Sequence, residues 1–113
     1  MPLKRVILEL GSGNDLHGGD YTKAAIRAVE DAIHHSSLAM IRTLGIDRDT
    51  VGVDVTIGVR RPDRVDAGAV RAALPMGRVT VTVVEGGLDI PEEDTHDMVV
   101  IASAAIAVRI DLP

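Results

Sequence analysis

The sequence has no cysteine, no tryptophan, no phenylalanine and a single tyrosine, Tyr21, in 113 residues. Without cysteine there is no disulfide framework, no thiolate nucleophile and no cysteine-ligated zinc site. Without aromatic residues there are no platforms on which bases stack. A basic stripe is missing as well: the net charge is −5, and the one arginine cluster (Arg60, Arg61 and Arg64) is broken by Asp63. Nucleic acid is therefore not an expected partner. The longest apolar run, residues 98–108, is far short of a membrane span, and no signal-peptide pattern opens the chain. The expectation is a cytoplasmic protein with no membrane partner.

What the sequence does have is small aliphatic residues, within an apolar fraction of 46%. A core of Val, Ile, Leu and Ala buries little area per side chain, which favours oligomerisation as a further source of burial. No linker, internal repeat or low-complexity segment divides the chain, so one domain spanning residues 1–113 is expected.

Residues 3–10 read as a strand by their two-residue period, with Val6, Leu8 and Leu10 on one face and Ile7 and Glu9 on the other. Asp20 suits the N-cap of a helix starting near Tyr21, in which Ala25, Val29, Ala32 and Ile33 recur at helical spacing. His35, Ser36 and Ser37 suggest a kink before the helix resumes through Leu38, Ile41 and Leu44, and Gly45 suits its stop. Residues 51–59 alternate apolar and small or polar, a half-buried strand. Residues 66–74 read as a short helix ended by Pro75, residues 79–84 as a third strand, 88–97 as an acidic loop and 99–111 as a long last strand. The order β-α-β-α-β-β predicts an α/β two-layer sandwich: a mixed four-stranded sheet with helices on one face, its last two strands antiparallel. The last strand is apolar or small on both faces, which predicts burial on both. With helices for one face only, the other is expected to meet a second copy of the chain, in a homotrimer.

Residues 11–18, Gly-Ser-Gly-Asn-Asp-Leu-His-Gly, are the stretch that points to chemistry. A dinucleotide fingerprint would need a glycine where Leu16 stands, and Asp15 would repel a pyrophosphate, so no nucleotide cofactor is expected. Asp15 and His17 form an Asp-x-His pair, and Asp94 and His96 a second; a divalent metal on Asp15, His17 and His96 is one reading. Acid–base catalysis by Asp15 and His17 is another, with Lys23 as a cation and Tyr21 as a hydroxyl. Gly11, Ser12, Gly13 and Gly18 would then offer backbone N–H groups to a ligand. Glu85, Gly86 and Gly87 would let a ligand approach the end of the third strand. The structural alternative is a turn in which Asp15 caps backbone and His17 bonds a carbonyl. His34 and His35 point about 100° apart on a helix and suit no shared ion. Arg60 and Arg61 fit an anionic substrate or a solvated loop.

The stretch matches Gly-x-Gly-x-Asp-x-His-Gly. With residues 20–25 (Asp-Tyr-Thr-Lys-Ala-Ala), residues 31–35 (Asp-Ala-Ile-His-His) and Val84-Glu85-Gly86-Gly87, it resembles a conserved hypothetical family of bacteria and plants, over essentially the whole chain. The resemblance implies no particular activity. It implies a fold similar to the trimeric YjgF/RidA and chorismate-mutase types, whose ligands sit in clefts between subunits. A more distant similarity to ring-opening amidohydrolases of the cyanuric acid hydrolase type would pair Ser12 with Lys23. The expected function is thus a hydrolase-like enzyme acting on a small carboxylate- or amide-bearing metabolite between subunits. The alternatives are a ligand-binding or sensor module and a structural oligomer.

Overall fold

The computed structural model describes residues 3–34, 38–74 and 77–111. The suggested kink at His35, Ser36 and Ser37 and the stop at Pro75 lie outside them, as does the side chain of Leu38. In chain order the elements are β1 (Leu3–Asp15), α1 (Tyr21–His34), α2 (Leu38–Thr43), a 3-10 turn (Arg48–Thr50), β2 (Gly52–Val59), a second 3-10 turn (Pro62–Arg64), α3 (Ala67–Ala72), β3 (Arg78–Glu85), β4 (Leu88–Pro91) and β5 (Met98–Asp111).

These make a mixed sheet of five strands rather than four, because the acidic loop begins with a short strand, β4. The strand order β1-β5-β2-β3 differs from the expected pairing of the last two long strands. β5 lies between β1 and β2, antiparallel to both, and β2 is parallel to β3. β4 pairs antiparallel with β5 from Leu88↔Ile101 to Pro91↔Met98, where β5 runs past the last residue it pairs with β2, Ser103. The chain reaches β4 by crossing the end of β2. Gly86 and Gly87 allow this: a Cβ on Gly86 would stand 3.2 Å from Gly58 Cα. Gly87, at φ +61°, would put one 2.2 Å from the Ile101 carbonyl oxygen.

The core lies between one sheet face and the helices. Val53, Val55, Ile57 and Val59 of β2 and Val100, Ala102, Ile106 and Val108 of β5 are buried against Ala24, Ala25, Ala28, Val29 and Ala32 of α1. This is the alternation of β2 and the helical spacing of α1 realised as packing. The caps at Asp20 and Gly45 fall where the sequence puts them, and Asp66, read as the first residue of its helix, is that helix's N-cap. The Asp20 carboxylate accepts the Lys23 N–H at 3.0 Å, and the Asp66 carboxylate accepts the Ala69 N–H. Gly45 at φ +70° closes α2, with the Ile46 N–H donating back to the Ile41 carbonyl.

β1 departs most from expectation. It does not end at Leu10 but continues through the glycine-rich stretch to Asp15, paired throughout with β5. A bulge between Arg5 and Ile7 sets its register, so Ile7 enters the core while Leu8 and Leu10 stand exposed on the other sheet face. That second face also carries Thr56, Ser103 and Thr82, and a single chain leaves it open, so β5 is buried on one face only. The Asp54–Arg109 ion pair, 2.8 Å, lies on the same face.

Candidate functional site

Gly11 and Gly13 point under α1. A Cβ on Gly11 would sit 2.4 Å from the Ala28 carbonyl oxygen and 2.5 Å from the Ala32 nitrogen. One on Gly13 would sit 2.3 Å from the Ala28 nitrogen and 2.5 Å from the Ala24 carbonyl oxygen. Two glycines on the strand and three alanines on the helix bring the two backbones into contact. These glycines serve as packing residues at the seam between β1 and α1, within a strand paired with β5 rather than in the open loop expected of them. The Ser12 N–H is also engaged, donating to the Asp31 carboxylate at 3.0 Å. Alternation turns the Ser12 side chain to the open face while Lys23 reaches Asp15, so no serine–lysine pair forms.

Asp15 ends the strand and is the buried charged residue of the described chain, 3% exposed. Its Oδ2 accepts the Asp20 N–H at 2.9 Å, and its Oδ1 lies 3.8 Å from both Lys23 Nζ and Arg27 Nη1. Arg27 also donates to the Asn14 carbonyl at 2.7 Å. Asp15 therefore fastens the end of β1 to the start of α1. The Gly18-Gly19 pair, both at positive φ, makes the bend between them. His17 is not beside Asp15 but out at the surface, its side chain 84% exposed and its Nδ1 3.4 Å from the Asp97 carboxylate. Among the described residues no three His, Asp or Glu side chains converge as a metal-ligand set, so Asp15, His17 and His96 do not form the expected one. Glu85 pairs with Arg60 at 3.4 Å in solvent, and Gly86 and Gly87 serve the crossing to β4.

The residues that do converge lie around a cavity of about 450 Å³, lined by Gly18, Gly19, Tyr21, Arg61, Arg64 and Asp89, with His96, Asp97 and Met98 at the loop before β5. It sits where β1 and β2 end and α1 begins, the pole at which α/β sheets commonly hold ligands. Tyr21, the first residue of α1, is buried and donates its hydroxyl to Asp89 Oδ2 in a short hydrogen bond. Asp89 Oδ1 is buried with no hydrogen-bond partner among the described residues. Burial, then the hydrogen bond and charge of Asp89, hold the phenol's pKa above its ordinary 10, while Arg61 and Arg64 pull it down. The phenol therefore stays protonated, and donating, at neutral pH. Both arginines are close enough to act on it, and among the described residues neither guanidinium has an ion-pair partner. Thr22 sets their place: its hydroxyl accepts the Asp66 N–H at 2.9 Å and donates to the Arg64 carbonyl at 3.4 Å, tying the loop after β2 to the first turn of α1.

Of the expected site residues, Tyr21, Gly18 and His96 line the cavity; Asp15 and Lys23 brace the turn beside it, and His17 touches it through Asp97. Asp89, Arg61 and Arg64 complete it. Sequence reasoning passed over Asp89 because it lies in what reads as an acidic loop. Its signal is a carboxylate between apolar Leu88 and Ile90, the alternation of a short strand.

The family model described as "Conserved hypothetical protein (Lin0512_fam)" matches residues 5–108. A crystal structure of an FtsZ-like protein of unknown function from Nostoc punctiforme is similar to this chain with a TM-score of 0.86 and 37% identity, covering 99% of each chain. No curated protein matches.

Proposed function

The chain belongs to the Lin0512 family of conserved hypothetical proteins, and from that premise we propose that it takes a small carboxylate-bearing ligand into the cavity at the carboxyl ends of β1 and β2. Arg61 and Arg64 hold the anionic group, aided by the amino end of α1. Asp89, oriented by Tyr21, holds or removes a proton on the rest of the ligand. The observation that carries this reading is the pairing of a free, buried carboxylate oxygen with two guanidinium groups that have no ion-pair partner among the described residues. Buried polar groups are ordinarily satisfied, and an exception calls for a missing partner. In this reading Asp15 and Lys23 are positioning residues for the turn, and His17 holds Asp97 at the rim. The Gly-x-Gly-x-Asp-x-His-Gly motif is then a device for docking β1 on α1 beside the cavity.

The active form is a homo-oligomer, a trimer of the YjgF/RidA or chorismate-mutase type. Two features support it: the open sheet face with exposed Leu8 and Leu10, and a radius of gyration of 15.2 Å against roughly 13 Å for a compact chain of this length. Enzyme and binding module are separated by incubating the protein with a pool of small carboxylate metabolites and following the pool by NMR. An enzyme depletes one component, a binding module retains it unchanged, and Asp89→Asn abolishes either behaviour. Full activity of Asp89→Asn in both respects would falsify the reading.

A further inference from the structure

We propose that the ligand is a zwitterion, a small carboxylate bearing an ammonium group on a neighbouring carbon, with its carboxylate on Arg61 and Arg64 and its ammonium on Asp89. This rests on the cavity being the ligand site and adds the chemical class. The walls carry both signs of charge close to one hydroxyl: two guanidinium groups on the loop after β2, and a carboxylate on β4. The other carboxylate at the cavity, Asp97, already faces His17. A purely anionic ligand would satisfy the arginines but bring a second negative charge beside a half-buried carboxylate whose Oδ1 is unpartnered. A purely cationic ligand would meet two guanidinium groups. A hydroxy acid would supply a hydrogen bond to Asp89 but bring no positive charge to it. Only a ligand carrying both charges completes both walls.

Asp89 is suited to this. Tyr21 occupies Oδ2 and neutralises nothing, since its phenol stays protonated. Oδ1 is shielded from solvent, and a turn about the soft terminal torsion of the aspartate, in which the Tyr21 hydroxyl passes from one carboxylate oxygen to the other, presents an oxygen to an incoming ammonium. The cavity, about 450 Å³, admits a ligand of amino-acid size.

Calorimetric titration with four probes tests the assignment: L-alanine, L-lactate, propionate and L-alanine methyl ester. L-alanine is expected to bind about tenfold or more tightly than lactate or propionate, the range for a hydrogen bond to a charged group, and the ester to bind worst. Asp89→Asn is expected to bring L-alanine to the level of propionate. Arg61→Gln, an exposed change that leaves the fold intact, is expected to weaken L-alanine and propionate alike. Equal binding of propionate and L-alanine overturns the zwitterion assignment while leaving the cavity as an anion site. Binding of none of the four also overturns it. In that case the cavity reading survives only if the metabolite-pool experiment still shows dependence on Asp89.

Discussion

Replacing Gly13 by alanine adds one methyl group where there is no room for it. The new Cβ would lie 2.3 Å from the Ala28 nitrogen, 2.5 Å from the Ala24 carbonyl oxygen and 2.6 Å from the Arg27 carbonyl carbon. All three are backbone atoms of a helix and cannot swing aside. Restoring ordinary contact requires α1 to retreat by about 1 Å, and a gap of that size forfeits a quarter to a half of the dispersion energy along the seam. That seam includes Ala24, Ala28 and Ala32, all fully buried. Overpacking of a core costs about 1–3 kcal/mol, and a rigid backbone clash puts this substitution at the upper end, about 3 kcal/mol. Against it stands a gain of about 0.5–1 kcal/mol from the stiffer unfolded chain. At about 2.1 cal/mol/K of unfolding entropy per residue, a net 2–2.5 kcal/mol lowers Tm by roughly 8–10 °C. Gly58→Ala is the control, because its Cβ would meet the nearest atom at 3.5 Å, an ordinary contact. Its Tm should stay within about 4 °C of the parent, given that strand glycines cost little or nothing to replace where space allows. Thermal unfolding by circular dichroism measures both. A Gly13→Ala protein as stable as Gly58→Ala would refute the packing account of the motif.

Other outcomes follow from the same geometry. Because Tyr21 is the only tyrosine and tryptophan is absent, absorbance near 295 nm reports its ionisation alone. The midpoint should lie above 10 and move down in Asp89→Asn, which removes the carboxylate's charge while burial remains. A group whose pKa is raised on folding makes the folded state bind more protons above pH 10, so stability should fall as pH rises through that range; denaturant melts at pH 9 and 11 check the sign. Asp15→Ala leaves the Asp20 N–H without its acceptor and should cost about 1–2 kcal/mol, whereas Asp15→Asn, which can still accept, should cost less; urea melts compare them. Leu10→Lys, on the open sheet face, should lower the mass measured by light scattering toward that of one chain and leave the circular dichroism spectrum unchanged.

The sequence disclosed its fold through periodicity. β2 alternates strictly and became a half-buried strand as read; Asp20 and Gly45 signalled helix ends by chemistry that is local to a few residues. Three things were not local. The insertion of β5 between β1 and β2 depends on long-range pairing that no window of sequence carries. The glycines at 11 and 13 look like a loop because glycine in a flexible turn and glycine under a close helix are the same letter. What separates the two is Ala24, Ala28 and Ala32 at four-residue spacing on the facing helix. The cavity was half legible: Tyr21 and Gly18 stood out near the motif, but Asp89 and Arg64 are brought to them only by the crossing at Gly86-Gly87 and by the Thr22 hydrogen bonds. His17 and Asp15, adjacent in the motif, separate because strand alternation ends at Asp15 and the following turn carries His17 outward.

The central claim is that a small carboxylate-bearing ligand occupies the cavity between Tyr21, Arg61, Arg64 and Asp89. Backbone amide shifts of isotope-labelled protein, followed while small carboxylates are added, test it most directly. Saturable shifts confined to Gly18, Gly19, Tyr21, Arg64, Asp89 and Met98, lost in an Arg61→Gln, Arg64→Gln double variant, are the predicted result. Saturable shifts elsewhere, or shifts at the cavity that persist in that variant, would contradict it.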